Sequence, residues 1–365
     1  MYPTGVEAYV PRPDAALIPR ASEAMRRLIA RSLERGKFSG PGVHELERVW
    51  RAWSASRVVR RLDLPEDVVV IAIGGATLGG SGKTPLALAC ARFAAECDAG
   101  DVALIGHAYR ASPERARVVA PDDACRVVGD EALLCARQFM HDTSNPDARI
   151  EVIVAPSRQG AVDFAVARGA RILVLDGVAQ IAPRRAGLAL LALDGTSPWG
   201  NEACPPRGDL RAPVPALLAA CDRTVMLSGD SVQSRGAVAE RSGVHTQRKR
   251  VSYDELAHMR VGLFTALARP DRVVASLKAY GVLPRARIHA SDHGTPSGRE
   301  LARSTAAHGL DCWVTTSKCA IHLPNSLSVP VYVLEHHVVL EPSLRDGLAS
   351  VLGGRSAARV CARPR

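Results

Sequence analysis

Helical spacing of apolar residues opens the chain. Over 18–61, Met25, Leu28, Ile29 and Leu33 share one face, and Val43, Leu46, Val49, Trp50 and Trp53 share another after a break at Gly40-Pro41-Gly42. The spacing predicts a pair of amphipathic helices, preceded by an irregular proline-bearing stretch over 1–19. Short continuous apolar runs then take over at 68–73, 102–105, 152–155, 172–175, 188–193 and 224–227, with helical patterns from 84 onward, at 129–140 and at 161–168. Runs that can be buried on both faces, alternating with helices, predict an α/β fold: a mostly parallel sheet covered by helices on both sides. The polar stretch 228–250 reads as a connection, and runs at 261–266, 287–290, 313–316 and 331–334 predict a second, smaller C-terminal α/β unit. The expected division is 1–227 for the basic helices and larger sheet, 228–258 for the connection, 259–352 for the smaller unit and 353–365 for a flexible tail.

Charge changes this picture at the N-terminus. The 365-residue chain carries a formal net charge of +10, which favours an anionic partner such as nucleic acid, acidic lipid or a phosphorylated substrate. The stretch 18–61 alone holds eleven Arg or Lys against four Glu. Basic amphipathic helices with two tryptophans suit an anionic membrane surface, and a solvated helical face packed on the core is the alternative. Aromatic residues make up 4% of the chain and are not interleaved with the basic ones, which argues against nucleic acid. The nine cysteines are scattered without a CxxC pair, the pattern of reduced thiols in a cytoplasmic protein. The sequence shows no signal peptide and no apolar run of the roughly 18 residues that span a bilayer, so a soluble or peripheral protein is expected.

The chemistry is carried by Gly79-Gly80-Ser81-Gly82-Lys83-Thr84, between the apolar run at 68–73 and a helical pattern. A loop that leaves a strand and enters a helix presents backbone N–H groups and the positive helix end to a phosphate. Lys83 is then placed to reach the β- and γ-phosphates of a nucleotide, and Thr84 to put its hydroxyl on Mg²⁺. This is a P-loop NTPase-like arrangement, with Thr77 where the strict pattern has glycine. Asp176 ends the run at 172–175, where a metal-binding carboxylate of such an enzyme sits, and Asp130-Glu131 opens a predicted helix. An Asp-Gly turn and a helix cap are the ordinary alternatives for these two sites.

Taken in order, these segments resemble the tetraacyldisaccharide 4'-kinase family of lipid A biosynthesis. The matching segments are Thr77–Pro85, the Gly129-Asp130-Glu131-Ala132 motif, Asp176-Gly177 with Gln180, Gly200-Asn201, and Pro206-Arg207-Gly208-Asp209-Leu210-Arg211. Ala268-Arg269-Pro270, Asp292-His293 and Thr316-Ser317-Lys318 follow in the smaller unit, and Tyr109 falls where the family carries Arg-Gly-Tyr. The resemblance implies transfer of phosphate from Mg-ATP to the 4'-hydroxyl of a tetraacylated glucosamine disaccharide 1-phosphate. The enzyme would be cytoplasmic, peripheral on the inner face of the inner membrane, with no obligate protein partner. It implies that Thr77, Gly79, Gly80, Ser81, Gly82, Lys83 and Thr84 bind nucleotide, and that Thr84, Asp176 and Glu131 hold the metal. Asp130 and His293 would activate the acceptor hydroxyl, with Lys83 and Asp176 also catalytic, and Tyr109, Asn201 and Arg211 would bind the substrate. The chain departs from the family pattern at Leu175, Ala212, Ser317 and Cys319, where carboxylates are expected, and at His107, where arginine is. These departures leave a non-catalytic nucleotide- or lipid-binding relative as the alternative. Another P-loop ATPase is a further one, but Leu78 stands where a deviant-loop ATPase carries lysine.

Overall fold

A computed structural model describes residues 32–33, 36, 38–97, 100–106, 111, 113–140, 149–227, 232–240, 250–267, 270–290, 297–323 and 327–353. Helix α1 (Pro41–Ala55) begins with proline at its first position, where φ is already helical and no donor is needed. It does not continue to residue 61. Strand β1 (Val59–Arg61) follows and pairs in parallel with β7 (Gln180–Ala182). Only part of the predicted apolar face of α1 packs: Trp50 lies against the small core of Leu191, Leu210 and Leu217. The helix buries Glu47 and Ser54 and leaves Leu46 62% and Val49 67% exposed. Glu47 turns inward because Arg207 Nη1 (2.7 Å) and the Cys204 N–H (3.2 Å) both donate to its carboxylate.

The larger sheet contains β2 (Val69–Gly75), β3 (Val102–Ile105), β4 (Arg117–Val118), β5 (Ile150–Val154), β6 (Ile172–Asp176), β8 (Leu188–Asp194) and β9 (Arg223–Leu227). Its order is β4-β5-β3-β6-β2-β8-β9, parallel throughout except for β4, which runs against β5. The central strands β6 and β8 are buried along their whole length, as their unbroken apolar sequences require. Helix α2 (Lys83–Glu96) and helix α4 (Asp130–Met140), which follows the single turn α3 (Cys125–Val128), contribute Leu86, Cys90, Leu133 and Ala136 to one core. Helix α5 (Arg158–Ala167) covers the opposite face through Ala161, Val162 and Ala165. Helix α6 (Val214–Ala220) leads into β9 at the sheet edge.

The second sheet has the order β11-β10-β15-β14-β12-β13. Its parallel part is β12 (Val261–Thr265), β13 (Ala286–His289), β14 (Cys312–Thr316) and β15 (Val331–Val338). Helices α7 (Tyr253–Ala257), α8 (Asp271–Ala279) and α9 (Gly298–His308) and the turn α10 (Ser317–Ala320) join these strands. Part of the expected connection over 228–250 is a strand, β10 (Val232–Glu240), antiparallel to both β15 and β11 (Arg250–Val251). Its pairing with β15 shifts register between Ser234 and Ala237. That irregularity breaks the alternation by which a strand is read from sequence. After β15 the chain returns to the larger sheet, where Leu344 and Leu348 of α11 (Pro342–Leu352) join the core with Leu86 and Ile71.

Candidate active site

The glycine loop hangs between β2 and α2. Gly82 adopts φ 81°, and a Cβ there would lie 2.2 Å from Leu227 Cδ1, so conformation and space both require glycine. The start of the loop is tied down from the side. Thr77 bridges Leu210, the Leu78 N–H donates to Asp209 O (2.8 Å) and the Arg211 N–H donates to Ala76 O (2.8 Å). The Thr77 hydroxyl donates to Gly79 O at 2.7 Å, so the threonine in place of glycine braces the loop from within. Ser81 is 2% exposed, and its hydroxyl finds no hydrogen-bond partner among the described residues. The N-terminus of α2 thus opens on a rigid loop with unspent polar capacity, which is what a phosphate needs.

Asp176 lies at the end of β6, beside β2 in the sheet. The Thr84 hydroxyl donates to its Oδ2 at 2.8 Å, and its Oδ1 finds no partner among the described residues. Arg158 Nη2 donates to the Asp176 carbonyl at 2.6 Å. Burial pushes the Asp176 carboxyl above its ordinary value; Lys83, the Thr84 hydroxyl and Arg158 oppose the rise and Glu131 adds to it. A buried carboxylate oxygen beside a threonine hydroxyl is a pair of hard oxygen ligands of the kind Mg²⁺ takes from protein when phosphates and waters supply the rest. Glu131, expected as a third ligand, has its Oε1 3.6 Å from Lys83 Nζ and 3.5 Å from Lys318 Nζ.

The second unit reaches the glycine loop at one point and the start of α4 at two. Lys318 faces Glu131, His322 Nε2 lies 3.2 Å from Asp130 Oδ2, and Arg272 of α8 donates to Gly80 O (3.1 Å) while pairing with Asp194 at the end of β8. Asp130 is 3% exposed, and its Oδ1 also accepts from the Glu131 N–H at 2.9 Å. Among the described residues the histidine at Asp130 is therefore His322. His293, expected as its partner, lies outside the described residues, as does Tyr109. His322 and Arg272 were not singled out from sequence, and Lys318 was read only as part of a motif. The sequence holds one signal that Lys318 and His322 act together: they are four apart, as are side chains on one helical face.

Asn201 and Arg211 are held in different ways. The Asn201 amide donates to Leu33 O (3.0 Å) and Arg207 O (3.1 Å), so it is spent on holding its own turn and the segment before α1. Arg211 stands beside the loop through its backbone bond to Ala76. Gln180, another residue of the sequence pattern, is 1% exposed and accepts from the Ile181 and Ala186 N–H groups, a structural role. Ala212 is buried in a small core with Leu210 and Leu217, and Leu175 in the core under α5.

Comparison with known proteins identifies the family of the chain. A family model for tetraacyldisaccharide-1-P 4'-kinase matches residues 45–353. The chain is 33% identical over 327 residues to a tetraacyldisaccharide 4'-kinase from Methylobacterium radiotolerans, covering 86% of this chain and 94% of that protein. It is 31% identical over 317 residues to one from Nitrobacter winogradskyi, covering 81% and 90%. The fold is shared with a crystal structure of LpxK from Aquifex aeolicus in complex with ATP, at a TM-score of 0.59 and 18% identity, over 90% of this chain and 99% of that one.

Proposed function

The chain belongs to the tetraacyldisaccharide-1-P 4'-kinase family, and from that premise we propose that it transfers the γ-phosphoryl group of ATP to the 4'-hydroxyl of a tetraacylated glucosamine disaccharide 1-phosphate. The observation that carries the reading is the convergence of Lys83, Thr84 and Asp176 at the mouth of the glycine loop. The N–H groups from Gly79 to Thr84 would cradle the phosphates, with Lys83 neutralising the β- and γ-oxygens. The Thr84 hydroxyl and Asp176 Oδ1 fit a magnesium ion bound with the nucleotide. Such an ion supplies charge withdrawal from the bridging phosphate oxygens.

The acceptor oxygen attacks the γ-phosphorus as the bond to the β-phosphate oxygen breaks, and ADP leaves. The hydroxyl proton passes to Asp130, buried at the start of α4, for which the family pattern supplies His293 as partner. Arg211, fixed beside the loop, and Tyr109 are proposed to contact the disaccharide; Asn201 acts through the turn it holds. Helix α1 supports peripheral docking on the anionic inner face of the inner membrane. It exposes Leu46 and Val49 among Arg48 and Arg51, with Arg57 stacked 4.6 Å over the Trp53 ring. No helix among the described residues is long and apolar enough to cross a membrane.

The test is transfer of labelled γ-phosphate to purified tetraacyldisaccharide 1-phosphate in mixed micelles, with Lys83→Ala as the control. Product well above the control is expected. Magnesium-dependent nucleotide binding without product would instead favour a non-catalytic relative.

A further inference from the structure

The carboxylate of Glu131 stands between two ammonium groups that come from opposite units of the protein. Lys83 Nζ, from the glycine loop, is 3.6 Å from Glu131 Oε1, and Lys318 Nζ, from α10, is 3.5 Å from the same oxygen. The two ammonium groups are therefore no farther apart than the sum of those distances. All three side chains are largely withdrawn from water, at 13% exposure for Lys83, 22% for Lys318 and 11% for Glu131. Glu131 thereby shares one carboxylate oxygen between two cations at the spot that Lys83 marks as phosphate territory. We propose that Lys318 is a second phosphate-contacting lysine, delivered by the second unit to the γ-phosphoryl group, and that Glu131 holds both lysines until nucleotide arrives.

The base of Lys318 is built to place a flexible side chain accurately. The neighbouring Cys319 is fully buried: its N–H donates to Thr316 Oγ1 (3.4 Å), and its sulfur accepts from the Ala266 N–H and the Thr316 hydroxyl, both at 3.1 Å. One turn further on, His322 docks on Asp130, the residue before Glu131. The segment 318–322 thus meets two consecutive carboxylates at the start of α4, and this registers Lys318 against Lys83. A lysine suits the role because its ammonium donates in three directions as a point charge and can move from a carboxylate to a phosphate without a fixed fork geometry.

This inference rests on the kinase reading, so the experiment separates the two. Affinities for MgATP and MgADP are measured by calorimetry, and turnover with the disaccharide acceptor, for the full-length wild type, Lys318→Met and Lys318→Arg. Lys318→Met is expected to weaken ATP about 10-fold and ADP less than twofold, and to lower kcat about 10²-fold with the acceptor KM nearly unchanged. Lys318→Arg should restore most of the preference for ATP. Equal weakening of ATP and ADP, or a kcat within threefold of wild type, would overturn the role of Lys318 while leaving the kinase reading in place. A wild type that binds no nucleotide would overturn both. If Lys318→Met gives no cooperative thermal transition, Lys318→Gln, which keeps much of the chain length, is read by the same criteria.

Discussion

Replacing Asp176 with asparagine sets what the fold favours at this position against what the proposed chemistry requires. The residue is 1% exposed, one carboxylate oxygen accepts only the Thr84 hydroxyl at 2.8 Å, and the other has no partner among the described residues. Burial is the largest influence on its ionisation and raises its pKa above the ordinary 3.8, against the pull of Lys83, Thr84 and Arg158. A folded-state pKa above the unfolded value means that the fold favours the protonated form. Its contribution to stability is present below the unfolded value and is lost as pH rises through the folded one. At neutral pH without metal, the ionised carboxylate therefore destabilises the protein, and an unsatisfied buried polar oxygen alone costs about 1–3 kcal/mol. Asp176→Asn removes the charge and keeps an acceptor for Thr84. The variant should be about 1–2 kcal/mol more stable than wild type in EDTA at pH 7. The gap should close as pH falls toward the ordinary carboxyl value, where both side chains are neutral. Urea denaturation followed by circular dichroism across this pH range reads both effects. With Mg-ATP the order reverses, because saturating ligand at about 100 times Kd stabilises the binding-competent wild type by about 2.7 kcal/mol. Turnover of the variant should fall at least about 10²-fold. A variant less stable than wild type in EDTA at pH 7 would refute the reasoning, since attraction by Lys83 and Arg158 would then outweigh burial.

His322→Ala removes the imidazole 3.2 Å from the buried Asp130 carboxylate. It should cost about 1–3 kcal/mol in urea denaturation, with His322→Asn recovering part of the loss. Gly82→Ala forces a side chain into the left-handed conformation at φ 81° and against Leu227. Strain of at least about 1–2 kcal/mol is expected, with loss of nucleotide binding by calorimetry, and Leu227→Ala should relieve the clash but not the backbone strain. Leu46→Glu with Val49→Glu alters two residues that are 62% and 67% exposed. The melting temperature should stay within about 2 °C of wild type, while sedimentation with anionic lipid vesicles falls several-fold. Unchanged vesicle binding would place the membrane contact elsewhere.

The central sheet was legible because its strands are short apolar runs buried on both faces, as in Ile-Leu-Val-Leu of β6 and Leu-Ala-Leu-Leu of β8. The glycine loop was legible because its residue types are dictated by backbone conformation and phosphate chemistry together. Helix α1 was placed only in part. Of the apolar residues that its spacing puts on one face, Trp50 packs and Leu46 and Val49 do not, because Glu47 turns inward where Arg207 and Cys204 satisfy its carboxylate from a distant stretch of chain. Strand β10 was hidden by its bulge, and the return of α11 to the first core could not be read because its apolar stripe would suit either unit. His322 escaped, and Lys318 was read only as part of a motif, because each becomes meaningful only when the turn after β14 is laid on the start of α4.

The departure at Leu175 takes a different meaning in the folded chain. Successive residues of a strand face opposite sides of the sheet. On β6, Ile172 and Val174 join the core under α2 and α4, while Leu173 and Leu175 join the core under α5. Asp176 continues the first set, which is why it meets Thr84 of α2 and feels Glu131 of α4. A carboxylate at 175 would fall in the alternate set, on the side of Ala161 and Ile153, away from Thr84. The side chain that keeps a hard oxygen on the nucleotide face is therefore retained, and Leu175 replaces a group from the other face with core packing. At Ala212 the carboxylate is likewise exchanged for burial, next to an arginine whose backbone still holds the loop. Both departures leave the contacts that shape the loop intact, so the case for turnover rests on Asp176, Lys83 and the Asp130 pair rather than on how many acidic residues the sequence pattern contains.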